Sequence, residues 1–343
     1  MKILHVNKFF DLHGGADIYL QQLMMAQRAQ GHEVHAFSTA SEKNIPTPDA
    51  KYFVERHNMD AREGLVKDAK KAAAYLWNRE AEQGITRMLN EVRPDVVHIH
   101  NIYHHLSTSV LAPIRKRKIP CVQTLHDYKL ACPNYRMFTQ GSPCERCKGG
   151  KYLNAIKYEC LATGFLPNML AALEMGMAKS RQSYEKTVSL FLCPSRFMQE
   201  KMQAWGEPPS KMRYLPNPTD FPKEAAPRGG GYLLYTGRLS PEKGLPGLIQ
   251  AFAETPELLL KIAGRGPEEA ALQRLVRDLG LANVEFLGFK APAELAVIRR
   301  AAEGVVLPTL SYENASGALL EALAEGIPCL ATRIGGSPEL VEE

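Results

Sequence analysis

The sequence predicts an α/β protein built from two parallel-sheet domains, and three observations lead there. Short runs rich in Val, Ile and Leu recur along the 343 residues, separated by longer stretches of helical spacing. That is the pattern of strands buried on both faces alternating with helices. A Pro- and Gly-rich break, from Pro216 through Pro218 and Pro222 to Gly231, divides two such series. The first series opens with a strand, a Gly-Gly turn and a helix, the start of a βαβ unit.

In the first series the apolar runs place strands at Lys2–Asn7, Glu33–Thr39, Asp95–His100, Cys121–His126, Leu190–Pro194 and Met212–Pro216. Periodicity places helices at Ala16–Gln30, Lys67–Glu91 and Asn168–Thr187. The second series predicts strands at Tyr232–Thr236, Leu258–Ala263, Val284–Leu287, Val305–Pro308 and Cys329–Thr332. Its helices are expected at Gly244–Ala253, Glu268–Leu279, Pro292–Ala302 and Gly317–Glu325. The domains therefore divide as 1–222 and 223–343.

Composition narrows the class. Hydrophobic content of 45% with 23% charged residues suits a globular protein. No run approaches the roughly 18 apolar residues of a membrane helix. Met1 to Val6 runs directly into a strand pattern without a signal peptide, so a cytoplasmic protein is expected. The net charge is +5, but residues 101–200 carry 14 Lys and Arg against 6 Asp and Glu. That middle third is either a solvated surface or a face for an acidic acceptor or an anionic membrane at its inner side. No nucleic-acid module accompanies it, so nucleic acid is not an expected partner.

Three constellations carry chemistry. Gly14-Gly15 lies between the first strand and its helix, where backbone N–H groups can approach a phosphate. Tyr235-Thr236-Gly237-Arg238-Leu239-Ser240-Pro241-Glu242-Lys243-Gly244 takes a strand through a loop into a helix and sets two cations five residues apart. Arg forks across two oxygens and Lys adds a mobile charge, so the pair can clamp a diphosphate without a metal. Glu313-Asn314-Ala315-Ser316-Gly317-Ala318-Leu319-Leu320-Glu321 sets two carboxylates eight residues apart across a helix entry. The Ser316 and Gly317 amides would point from that helix end toward an anion, and both carboxylates can accept bonds from sugar or ribose hydroxyls.

Taken in order, Gly14-Gly15, Arg238, Lys243, Glu313, Glu321 and the following Glu325-Gly326-Ile327-Pro328 resemble the retaining glycosyltransferases of GT-B fold classed as family 4. The likeness covers nearly the whole chain. It implies two facing Rossmann-like domains with a cleft between them, the first for acceptor and the second for a UDP- or GDP-sugar donor. It implies that Gly14, Gly15, Gly237, Arg238, Lys243, Ser316 and Gly317 hold the donor, with Glu321 on the ribose and Glu313 on the transferred sugar. His126, at a strand end before Asp127-Tyr128, matches the family's cleft histidine, and catalysis is expected from His126, Arg238, Lys243 and Glu313. His100 and Asn101 are expected on the acceptor side, while His98 alternates inward as core. No catalytic cofactor is implied.

Two departures stand out. Ala315 and Ser316 follow Glu313 where the family often has an aromatic residue and then Gly or Pro, which puts the shape of the sugar pocket in question. The chain also ends soon after Gly335-Gly336-Ser337-Pro338-Glu339, where relatives usually continue.

Cys132, Cys144, Cys147 and Cys160 form C-x11-C-x2-C-x12-C in a basic insertion at about 127–160 that is read as poor in apolar content. Four thiolates suit tetrahedral zinc, with disulfides, an iron–sulfur centre and reduced thiols as open alternatives. A subset of the family carries a similar insertion, which suggests an acceptor-recognition loop. Cys121, Cys193 and Cys329 read as small core residues.

The expected function is transfer of a sugar to a saccharide or lipid-linked saccharide in cell-envelope polysaccharide synthesis. A sugar-nucleotide epimerase of the same fold and a catalytically silent nucleotide-sugar-binding protein are the rival readings. The first would need no acceptor; the second is opposed by the intact Arg238, Lys243, Glu313 and Glu321.

Overall fold

The computed structural model describes residues 1–12, 14–58, 63–161, 164–219 and 229–341. The chain forms two compact units. The first comprises Met1–Arg136, Glu145–Pro194 and Gln199–Leu215; the second is mainly Pro216–Glu343, with Met137–Cys144 and Ser195–Met198 grouped with it. The boundary expected at 222/223 lies outside the described residues.

The first unit is a six-stranded, wholly parallel sheet. Its strands are β1 (Lys2–Val6), β2 (Glu33–Phe37), β3 (Val96–Ile99), β4 (Cys121–Thr124), β5 (Leu190–Cys193) and β6 (Met212–Tyr214), in the order β6-β5-β4-β3-β1-β2. Leu4, Val6, Val97, Ile99, Cys121 and Phe191 are fully enclosed, as strands covered on both faces require. The order reverses between β1 and β3.

The second unit has five parallel strands: β7 (Tyr232–Thr236), β8 (Leu259–Ala263), β9 (Val284–Gly288), β10 (Gly304–Leu307) and β11 (Cys329–Ala331), in the order β9-β8-β7-β10-β11. On one side Tyr235, Ile249, Leu260 and Ile262 pack together; on the other Leu234, Val305, Ala322 and Ile327 do. The order reverses between β7 and β10.

Three expectations need correction, the first being the helix expected at Asn168–Thr187, which runs Phe165–Ser180. The single helix Lys67–Glu91 is two, Leu65–Leu76 and Arg79–Val92. Asn78 causes the break, because its Oδ1 accepts from Ala81 N at 3.0 Å and so caps a new helix. Helical periodicity continues through it, which hid the interruption. The Cys-bearing insertion is also not poor in apolar content, since Tyr128, Leu130, Met137, Phe138 and Ala155 are buried. Two short segments, Arg196–Ala204 and Leu111–Lys116, are helices that the sequence reading left unassigned.

Asn78 does more than cap. It is 2% exposed, its Nδ2 donates to His105 O at 2.7 Å, and its backbone N donates to Ser107 Oγ at 2.9 Å. One side chain thus ties a helix start to the loop that follows β3. Asn78→Ala removes the cap and leaves a buried carbonyl without its donor, so unfolding free energy is expected to fall by roughly 2 kcal/mol. Urea denaturation checks this; a change below about 0.5 kcal/mol would mean the loop holds itself.

Candidate functional site

Open parallel sheets bind ligands beyond the carboxyl ends of their strands, where the order reverses. In the second unit the loops after β7 and β10 leave that point side by side. Glycine lets them approach backbone to backbone. A Cβ at Gly264 (φ +149°) would lie 1.8 Å from Gly237 O, and one at Gly244 (φ +70°) 2.0 Å from Pro308 O. Hydrogen bonds close the same gaps: Leu239 N donates to Arg265 O at 3.0 Å, Leu310 N to Glu242 O at 2.9 Å, and the Tyr235 hydroxyl to Arg238 O at 2.9 Å.

This frame brings Lys243 and Glu313 together from separate loops, with Nζ 3.0 and 2.9 Å from the two carboxylate oxygens. Both side chains are only partly exposed, at 21% and 16%, so the pair is neither a loose surface bridge nor a sealed one. Arg238 is exposed on the β7 loop. Ser316 caps the helix Gly317–Ala324, its Oγ accepting from Leu319 N at 3.5 Å, and a Cβ at Gly317 would meet open space.

Glu321 has a partner the sequence did not announce. Arg299, 6% exposed, donates from Nη1 to Glu321 Oε2 at 2.5 Å and from Nε and Nη2 to both oxygens of Glu325 at 2.7 and 3.0 Å. The guanidinium fork locks both carboxylates along one helix face. Burial raises the Glu321 carboxyl above its ordinary value despite Arg299. Glu325 is also raised by burial, but the Arg299 and Arg300 bonds outweigh that and hold it low.

In the first unit the loops after β1, β3 and β4 meet beside the reversal. Asn7 joins two of them: Nδ2 donates to Asp17 Oδ1 at 2.7 Å, and Oδ1 accepts from Asn101 N at 3.0 Å. Gly14 is extended, and its carbonyl accepts from Asp17 N and Ile18 N as the helix Gly15–Ala29 begins. A Cβ at Gly15 would touch nothing within 4 Å, so ample space lies over that helix start. His126 is partly exposed and packed edge-on by Tyr19 at 5.0 Å.

His100, expected on the acceptor side, is fully buried, with Nε2 3.0 Å from His5 and Nδ1 2.9 Å from His126. Both nitrogens are engaged inside the protein, so it offers no edge to a ligand, whereas Asn101 beside it is partly exposed. The place of His100 at the end of a strand suggested a cleft-facing residue, but it shares a strand face with the buried His98, two positions earlier, and stacks on that ring. His98 is buried as expected and bonds the Thr124 hydroxyl at 2.8 Å.

Spacing also missed a charged cluster next to His126. Lys129 Nζ lies 2.6 Å from Glu174 Oε2, Lys129 N donates to Asp127 Oδ1 at 3.0 Å, and the Tyr103 hydroxyl donates to Asp127. Lys8 Nζ stands 3.7 Å over the Tyr103 ring, and burial lowers its amine to about 8. Of the four cysteines, Cys132 and Cys147 are buried and Cys144 and Cys160 partly so. Among the described residues, the group of three or more ligands close enough to share a metal ion is His5, His98 and His100.

Comparison with known proteins gives this geometry a context. A sequence profile described as "Glycosyltransferase Family 4" matches residues 13–221, and one described as "Glycosyl transferases group 1" matches 216–343. The D-inositol 3-phosphate glycosyltransferase of Rhodococcus erythropolis is 27% identical over 94% of this chain and 72% of its own length. The lipopolysaccharide core biosynthesis glycosyltransferase LpsE of Rhizobium meliloti is 27% identical over 51% of this chain and 54% of its own. The uncharacterized glycosyltransferase MJ1607 of Methanocaldococcus jannaschii is 35% identical, but over only 32% of this chain and 29% of that protein. Among solved structures, Anabaena Alr3699/HepE in complex with UDP-glucose superposes with a TM-score of 0.64 at 18% identity, over 100% of this chain and 83% of that one. Its fold, the two-domain GT-B architecture, is the fold of this chain.

The buried imidazoles set a pH dependence. Burial lowers His5 and His126 from 6.5 to about 4, and burial with the neighbouring imidazoles takes His98 and His100 well below 6.5. The unfolded chain therefore binds protons first as pH falls below 6.5, and acid favours it. Asp17 opposes this: burial raises its carboxyl from 3.8 to about 6, so the folded state takes up its proton first between those values. Asp127, Glu268 and Glu321, raised by burial, and His35, raised by its carboxylate partners, act with Asp17. His104, also taken well below 6.5 by burial, and Glu33, Glu63, Glu91 and Glu325, held low by their partners, act with the four rings, so acid still favours the unfolded chain. Stability should decline from about pH 6.5 toward pH 4, as urea midpoints across that range would record; a flat profile would contradict the neutral state of these rings.

Proposed function

The chain belongs to the glycosyltransferases of group 1 and family 4, and on that footing we propose that it is a retaining enzyme moving a sugar from a UDP- or GDP-sugar to a saccharide or lipid-linked saccharide. The observation that carries this reading is the Lys243–Glu313 pair, 2.9–3.0 Å apart where the second sheet reverses its order. A cation for phosphate and an acceptor for sugar hydroxyls stand side by side, which is what a nucleotide sugar needs at its scissile bond.

In this reading Arg238 and Lys243 take the diphosphate oxygens, and the Ser316 and Gly317 amides at the helix end add to that field. Glu321, held by Arg299, accepts from the ribose hydroxyls through its remaining oxygen. Glu313 and His126 accept from hydroxyls of the transferred sugar. As the bond from anomeric carbon to phosphate oxygen breaks, the two cations stabilise the leaving charge, so no catalytic metal is needed. The acceptor oxygen attacks on the face the diphosphate vacates, and its proton passes to a phosphate oxygen, which gives retention. The UDP-glucose held by the Anabaena protein is the reason to screen UDP-sugars first.

Likeness to the Rhizobium lipopolysaccharide core enzyme and the basic middle third support an acceptor in envelope polysaccharide synthesis. A cytoplasmic protein touching the inner face of an anionic membrane fits that acceptor. Phe165, Leu166 and Leu173 are exposed on the helix Phe165–Ser180, in the same third of the chain as the basic excess. No helix among the described residues is long and apolar enough to cross a membrane.

Arg238→Ala and Lys243→Ala are each expected to slow transfer on the order of 100-fold or more, the worth of a preorganised charge at a leaving group. Steady-state kinetics with a donor identified by thermal shift checks this; rates near wild type in both variants would remove the clamp.

The zinc reading of Cys132, Cys144, Cys147 and Cys160 rests on donor chemistry alone, since among the described residues no three of these thiols stand close enough to share one ion. It calls for about one zinc per chain, with turnover persisting through brief chelation because that metal orders a loop and takes no part in the reaction. Cys144→Ser with Cys147→Ser should impair acceptor use and spare donor binding. Zinc-free protein with unaltered acceptor kinetics in the double variant would exclude the site.

A further inference from the structure

A neutral imidazole donates from one ring nitrogen and accepts at the other, so a row of hydrogen-bonded imidazoles has a direction. Behind His126 lies such a row. Gln27 Oε1 is 2.7 Å from His5 Nε2, His5 Nδ1 is 3.0 Å from His100 Nε2, and His100 Nδ1 is 2.9 Å from His126 Nε2. The His5 and His100 rings are stacked, with centroids 5.3 Å apart, as are those of His100 and His126 at 5.2 Å. His5 and His100 are 0% exposed, so water cannot substitute at any link between them.

The Gln27 end sets the direction. A carbonyl oxygen only accepts, so His5 Nε2 carries the proton and His5 Nδ1 holds a lone pair. His100 must then donate from Nε2, which bares its Nδ1, and His126 must donate from Nε2 in turn. We propose that Gln27, His5 and His100 are positioning residues forming a directional relay that fixes the Nε2–H tautomer of His126 and leaves its Nδ1 to accept a hydrogen bond from a ligand hydroxyl. This rests on the reading that His126 meets a hydroxyl of the transferred sugar.

The environment supports it. Burial keeps every ring of the row neutral at physiological pH, as the depressed values of His5 and His126 show, and only neutral rings can pass on a direction. His5, His98 and His100 also have the spacing of a metal-binding group. The His5–His100 bond nevertheless uses one N–H and one lone pair, so both rings cannot turn lone pairs to one ion while the row is intact. His98 stands aside from the row with its own partner, the Thr124 hydroxyl.

Long-range proton–nitrogen correlation on the 15N-labelled full chain reads the tautomer of each ring without reference to activity. The expected result is Nε2–H at His5, His100 and His126. Gln27→Met removes the terminal acceptor at nearly constant side-chain length; it should give a mixture of tautomers at His126 and about a fivefold loss in kcat, the worth of one hydrogen bond. Gln27→Glu restores an acceptor and should recover the Nε2–H form. Wild-type His126 protonated at Nδ1, or an unchanged Nε2–H form in Gln27→Met, would overturn the relay. A tautomer shift in Gln27→Met with undiminished turnover would uphold the relay and instead sink the role given to His126.

Discussion

Close approach of backbone to backbone at the carboxyl ends of the second sheet is the constraint on which the candidate donor site depends. Side chains at Gly264 or Gly244 would occupy space already filled by the carbonyl oxygens of Gly237 or Pro308. With hydrogen atoms there instead, the loops after β7, β8 and β10 lie against one another and bond through their main chains. The functional side chains inherit that rigidity. Lys243 and Glu313 are 70 residues apart in sequence, yet meet within hydrogen-bond distance because the strands beneath them are neighbours.

The first unit solves a different problem. Polar rings sit in the interior of a parallel sheet, where an unpaired nitrogen would cost as much as a lost hydrogen bond. His5, His98 and His100 each find a partner: His5 and His100 bond each other, and Gln27, His126 and the Thr124 hydroxyl complete the set. The arrangement converts an expense of burial into order, because each ring's orientation is set by the next. Around it, Asp127, Lys129 and Glu174 pair off in the same way.

Much of this was legible in the sequence. Tyr232–Thr236 was read to the residue, and the eleven strands of the two large sheets lie within a residue or two of their expected spans, because fully buried parallel strands read as plain apolar runs; the two short two-stranded sheets were not read. The spacing of Arg238, Lys243, Glu313 and Glu321 pointed to the loops after β7 and β10 and to the helix Gly317–Ala324. What the sequence hid were effects with no period. The break at Asn78 depends on a cap and on a loop 27 residues away. Arg299 sits in an ordinary amphipathic helix, and nothing local marks it as the partner of Glu321 and Glu325. His100 looked like a residue at a strand's edge, whereas its role depends on His5, 95 positions earlier.

The pairing of Lys243 with Glu313 bears on how a catalytic cycle would end. In the proposed reading, a nucleoside diphosphate alone would draw Lys243 away and strand the carboxylate beside it, which is only 16% exposed, without a countercharge. A diphosphate still joined to a sugar would bring hydroxyls that compensate that carboxylate as the lysine turns to phosphate. The intact donor would then be accommodated at both groups and the spent nucleotide at only one. Once the sugar had gone, the ion pair would compete to re-form and so work to expel the product.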